Sequence, residues 1–153
     1  MSDPELVNVA PVTTAVIRGR VGMGELRNFF DRSFATLATT LSAQEIAIAG
    51  PAFGLYRNAP DDGFDLEVGF PTDRAVEPAG DVVPSSLPAG RVARFVHRGS
   101  FDGLSASWQQ LQSWIEEQGL TRQPMWWEVY VTEPSPDMDP RDLRTELNAP
   151  VDS

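Results

Sequence analysis

One plan is written twice in this chain, and that constrains its fold more than any single motif. The run IRGRVGMGEL, ending at Leu26, is similar to VHRGSFDGL, ending at Leu104. AFGLYR takes the place of WWEVYV, with Tyr56 against Tyr130, and EVGFP at Glu67–Pro71 takes the place of ELNAP at Glu146–Pro150. A similar order of elements with similar junctions points to an internal duplication. Each copy reads strand, helix, strand, strand. One copy covers only one patch of sheet. Two copies share an antiparallel sheet of about six strands with both helices on one face, a usual sheet size. The expected fold is therefore α+β, a single domain over residues 1–153. Its pseudo-repeats span residues 7–71 and 91–151, joined by a link at 72–90.

The local patterns fit this plan. Residues 7–20 are rich in β-branched side chains and read as one strand, with Pro11 near its start or on an edge. From Glu25 the period changes: Leu26, Phe30, Phe34, Leu37 and Leu41 step by three or four residues, which is an amphipathic helix. NAPDDG between AFGLYR and FDLEVGF is turn chemistry and predicts a hairpin. The Pro/Gly-rich run 71–90 reads as a polar link or a surface lid. In the second copy a helix carries Leu104, Trp108, Leu111 and Ile115, and Gly119 stands where a helix can end in a left-handed residue.

Composition excludes several chemistries. There is no cysteine, so disulfides and thiolate catalysis or metal sites are absent. The single histidine, His97, removes histidine-cluster metal sites and reads as structural or exposed. Neither a metal nor a cofactor is expected. Asp137, Asp139 and Asp142 lack the spacing of a calcium loop, and GRVGMG lacks the phosphate-binding fingerprint. The acidic pairs Asp61–Asp62 and Glu116–Glu117 read as solvated surface. A net charge of −10 disfavours nucleic acid and anionic lipid. The N-terminus has no apolar signal region, and no apolar run is long enough for a membrane span, so a soluble cytoplasmic protein is expected.

Strand alternation selects the candidate site. In MWWEVYVTE, Trp127, Val129 and Val131 form one face and read as the set that packs on the helices. Trp126, Glu128, Tyr130 and Thr132 form the other. Leu66, Val68 and Phe70 oppose Asp65, Glu67 and Gly69. Leu147 and Thr145 oppose Arg144, Glu146 and Asn148, and Phe53 and Leu55 oppose Gly54 and Tyr56. One sheet face is then expected to carry Glu67, Glu128, Glu146, Tyr56, Tyr130 and Trp126. A solvated face accounts for Asp65 and Glu146. It accounts poorly for Trp126, Glu128 and Tyr130, because aromatic walls around a carboxylate suit a planar organic cation. Gly54 leaves room for a ligand beside the strand, or marks a bulge. Trp108 sits in the apolar register of its helix and reads as core. Trp114 lies at the boundary of that stripe and either pads the helix–sheet junction or lines a cleft; Phe29 is similarly placed in the first helix.

The run Pro124-Met125-Trp126-Trp127-Glu128-Val129-Tyr130, followed by Thr132-Glu133-Pro134, resembles the signature strand of the GyrI-like small-molecule-binding domain family. So do His97-Arg98-Gly99-Ser100 leading into Leu104, the helix with Trp108, Leu111, Trp114 and Ile115, and the closing Asp142–Leu147 with Pro150. The resemblance implies two strand–helix–strand–strand repeats about a pseudo-two-fold axis, with a ligand cleft on the side away from the helices. Members of that family serve as effector domains of transcription regulators, as free-standing binders of drug-like organic cations and as gyrase-inhibiting proteins. Some relatives hydrolyse cyclopropane-containing DNA-alkylating compounds. By resemblance Glu128 is the acidic residue for cationic ligands, Tyr130 the aromatic beside it and Glu67 a second carboxylate.

The residues support three functions. The first is a free-standing binder of flat aromatic, cationic, drug-like molecules, lined by Glu128, Tyr130, Trp126, Tyr56, Glu67, Gly54 and Trp114. Desolvation there favours a neutral Glu128 and a bound cation favours the charged form. The second is a hydrolase of cyclopropanes or other electrophiles, with Glu128 as general base on a water and Glu67 or Tyr130 orienting it or protonating the leaving atom. The third is a protein-interaction module such as a gyrase inhibitor, whose negative charge competes for a basic surface. The expected partner is an aromatic or cationic small molecule, with a regulator or gyrase as a protein partner and no direct nucleic acid or membrane contact.

Overall fold

The computed structural model describes residues 3–21, 23–58, 64–100, 103–131 and 139–152. The hairpin turn expected at NAPDDG therefore lies almost wholly outside the described residues, as do Thr132, Glu133, Pro134 and Asp137. The fold is α+β, with two helices packed against antiparallel sheet. Its strands are β1 (Glu5–Val9), β2 (Val12–Val21), β3 (Phe53–Asn58), β4 (Phe64–Pro71), β5 (Val82–Leu87), β6 (Gly90–Arg98), β7 (Thr121–Arg122), β8 (Met125–Tyr130) and β9 (Arg144–Asp152). Helix α1 (Leu26–Ala43) follows β2, and α2 (Leu104–Glu117) follows β6. The chain forms two compact units: Met1–Val9 with Gly90–Ser153, and Ala10–Ala89.

Each unit repeats the predicted plan, with an added strand at the edge. In the unit formed by Ala10–Ala89 the strand order is β3-β4-β2-β5, all pairs antiparallel. In the other it is β8-β9-β6-β1, with β7 also on β9. The edge strands β5 and β1 occupy equivalent places. The sequence does not show them as such. Residues 7–20 form parts of two strands because the chain breaks at Ala10–Pro11, where proline supplies no ladder donor. Part of the run expected as a polar link is β5, paired with β2 from Val12↔Leu87 to Ile17↔Val82.

The helices pack as their periodicity requires, with a shift in α1. Phe29, Leu37 and Leu41 are its buried apolar residues, while Phe30 and Phe34 stack beside each other at 5.8 Å. Phe29 needs Gly19 on β2, since a Cβ there would lie 2.5 Å from the ring. In α2, Leu111 and Ile115 are fully buried against Ala93, Phe95, Leu147, Ala149 and Val151, with Leu104, Trp108 and Trp114 partly buried around them. No helix among the described residues is long and apolar enough to cross a membrane.

Candidate functional site

The register decides which side chains meet. Residues paired across an antiparallel ladder project to the same face. Glu128 pairs with Leu147 and Tyr130 with Thr145. Leu147 belongs to the core under α2, so Trp126, Glu128 and Tyr130 face the helix of their unit. Trp127 and Val129 pair with Asn148 and Glu146 and face away. This corrects the expectation for β8, in which Trp127 and Val129 were to pack on the helices. It also separates Glu146 from Glu128. The equivalent strand β3 is shifted in the same way. Tyr56 pairs with Leu66 and Gly54 with Val68, on the face that carries Phe70, whose ring lies 5.4 Å from Phe34 of α1. Glu67 pairs with Leu55 on the opposite face, so Tyr56 and Glu67 do not share one. The reason is common to both strands. Phe53 and Leu55 on one face and Tyr56 on the other are all buried, as are Trp127 and Glu128. Where both faces are covered, hydrophobicity cannot set the phase.

Glu128 is 7% exposed and both its oxygens are engaged. The indole Nε1–H of Trp108 donates to Oε2 at 2.6 Å, and the Tyr130 hydroxyl donates to Oε1 at 3.2 Å. Trp108 also meets Trp126 edge-on, ring centroids 6.4 Å apart. The Arg122 guanidinium lies over both indoles. The result is a carboxylate, two tryptophans, a tyrosine and an arginine gathered between α2 and the end of the sheet.

Two of these were missed in the sequence. Trp108 looks like core because it is in the apolar stripe, but an indole N–H needs an acceptor when buried. Arg122 gives no periodic signal on a two-residue strand. Trp114, six residues after Trp108, is turned about 120° from it around the helix and packs on the core cluster. Thr145, cross-strand from Tyr130, is fully buried, and its Oγ1 has no hydrogen-bond partner among the described residues. His97, paired with Thr145 on the other side, is buried and structural. Its ring nitrogens meet Ser107 Oγ at 2.6 Å and the Ser100 carbonyl at 2.8 Å.

Glu67 has a different environment. Arg57 Nη1 donates to it at 2.9 Å, Ser85 Oγ at 2.9 Å, and Arg18 Nε lies 3.3 Å away. Burial pushes its carboxyl up, but these bonds and the arginine charges outweigh it, and the group titrates below the usual glutamate range. It is an ion-paired anchor and a poor proton donor at neutral pH. Glu146 is likewise paired, with Arg94 at 3.2 Å. Among the described residues no cluster of acidic or imidazole side chains could hold a metal ion.

A profile of the GyrI-like small molecule binding domain matches residues 2–152. The chain belongs to this family. Among curated proteins none matches in sequence. Among solved structures, the EcmrR C-terminal domain superposes with a TM-score of 0.86 at 16% identity, over 100% of this chain and 99% of that one. EcmrR in its complex with DNA gives 0.86 at 17%, over 99% of this chain, which spans 58% of EcmrR there. A hydrolase from Listeria innocua gives 0.69 at 17%, over 97% and 91% of the two chains. SAV2435 bound to tetraphenylphosphonium gives 0.71 at 15%, over 99% and 94%. At these identities the likeness is one of GyrI-like fold.

Proposed function

We propose that this GyrI-like chain binds flat aromatic, cationic, drug-like molecules at Glu128, with Trp108, Trp126 and Tyr130 as walls. The observation that carries the reading is a buried carboxylate that accepts from an indole and a phenol, beside an edge-on pair of tryptophans. A cation stacked on these rings gains the quadrupole attraction and, beside Glu128, a counter-charge. The fold shared with SAV2435, bound to an aromatic cation, supports the same class of ligand.

The hydrolase alternative uses the same pair. Tyr130, hydrogen-bonded to Glu128, would orient a water for which Glu128 is the general base. One experiment separates the two. Tryptophan emission is followed while N-methylacridinium, tetraphenylphosphonium and an electrophilic cyclopropane are added, and compound masses are read over time. Binding predicts saturable quenching with compounds recovered intact, weakened by about 10–100-fold in E128Q, as expected for losing a charge-assisted contact. Equal affinity in wild type and E128Q would defeat the reading. A mass gain of one water, lost in E128Q, would establish the hydrolase.

A further inference from the structure

Arg122 already stands where a cationic ligand would stack. Its guanidinium carbon is 5.4 Å from the Trp108 ring centroid and 5.7 Å from that of Trp126. Both lie within the reach of about 6 Å for a cation over an aromatic face. The placement follows from β9. Both β7 and β8 run along one edge of that strand, Arg122 opposite Val151 and Trp127 opposite Asn148. Val151 is in the core under α2, so Arg122 projects to the helix side, as Trp126 does. Gln112, one turn after Trp108 on α2, accepts from Arg122 Nη1 at 2.9 Å.

Its partners set this arginine apart. Arg18, Arg20, Arg57, Arg94 and Arg141 each form an ion pair with a carboxylate. Arg122 has none among the described residues, and it is half-buried, whereas the other described arginines without an ion pair, Arg32, Arg74, Arg91, Arg98 and Arg144, are exposed. Burial pushes its guanidinium below its ordinary value, yet an arginine stays charged at any physiological pH. A half-buried, permanent cation is thus held by two indole faces and a neutral amide.

We infer that Arg122 is a tethered internal cation that a cationic ligand must displace, and that it thereby sets the affinity and charge selectivity of the site. The inference rests on the reading of the Glu128 cluster as a cation site. The guanidinium is carried on a long side chain with several rotatable bonds, so a change of rotamer moves it off the rings without moving the backbone. A neutral planar molecule does not compete with the guanidinium by charge, whereas a cation both competes for the rings and is repelled while the guanidinium remains.

The test titrates wild type, R122M and E128Q with N-methylacridinium and with neutral acridine at pH 8. Methionine keeps much of the apolar stem and removes the charge. R122M is expected to bind N-methylacridinium about tenfold more tightly than wild type, and to gain less for acridine. Unchanged or weaker binding of the cation by R122M, with the E128Q loss intact, overturns the role of Arg122 and leaves the cation site standing. Absence of cation binding in both wild type and R122M overturns the site itself, and this inference with it. A wild-type measurement guards against misfolding of the variant. The Arg122 side-chain proton resonances are expected upfield in the free protein, under the indole ring currents, and to return toward ordinary values on saturation with N-methylacridinium. Resonances that stay upfield at saturation overturn the inference.

Discussion

Thr145 lies beside Tyr130 on the helix side of β9, fully buried, with a hydroxyl that no described residue satisfies. A buried hydroxyl without a partner costs about 1–3 kcal/mol of desolvation. T145V, which keeps the shape and removes the hydroxyl, is expected to stabilise the protein by about 1 kcal/mol in urea denaturation. A loss of that size instead would show that the hydroxyl is satisfied. Glu128 and Tyr130 were legible in the sequence as a carboxylate with an aromatic two residues on, on one face of a strand. Their direction was not. The alternating pattern of MWWEVY has large apolar residues on both faces, and only pairing with Leu147 fixes which one meets the helix. Trp108 and Arg122 were hidden for the opposite reason. Each has an ordinary local explanation, and their chemistry arises only when α2 and β7 meet β8.

Both helices end by the same device, which shows the duplication at the level of elements. After α2, Leu120 N–H donates to Ile115 O and Gly119 N–H to Glu116 O, with Gly119 at φ 72°. After α1, Ile46 N–H donates to Leu41 O and Glu45 N–H to Ser42 O, with Glu45 at φ 56°. These are the paired bonds of a helix closed by a left-handed residue. Glycine takes that conformation freely; a glutamate pays about 1–2 kcal/mol for it. E45G is therefore expected to raise stability by about 1 kcal/mol and G119A to lower it by a similar amount, both read from denaturant midpoints. If E45G lowers the midpoint, the closure of α1 depends on the glutamate side chain. The stop at Gly119 could be read in the sequence because the residue matches the conformation. The stop at Glu45 could not, because there the surrounding bonds impose it. Strand β5 escaped notice for a related reason: an edge strand pairs on one side only, and VVPSSL resembles a loop, whereas β1 was merged with β2 into one expected strand.

At the scale of the whole chain, one unit is contiguous and the other is interrupted. The strands of the contiguous unit, β2 to β5, fall within Ala10–Ala89, whereas the other draws β1 from before that stretch and β6 to β9 from after it. Removing residues 1–9 is expected to speed amide hydrogen exchange in β6 at Gly90–Arg94, the partners of β1, while β2 to β5 keep their protection. Uniform loss of protection would show that β1 supports the entire molecule. The same arrangement gives the protein a timetable as it is made. Of these strands β1 leaves the ribosome before the others, and its partner β6 follows only after the whole contiguous unit, a delay of several seconds at about 5–20 residues per second. Strand β9 comes later still, and β6, β7 and β8 all pair with it. A nascent chain halted before Arg144 would have made every side chain of the Glu128 cluster and still lack the strand that aligns them. Synthesis of β9, rather than the appearance of the side chains themselves, is what assembles the Glu128 cluster.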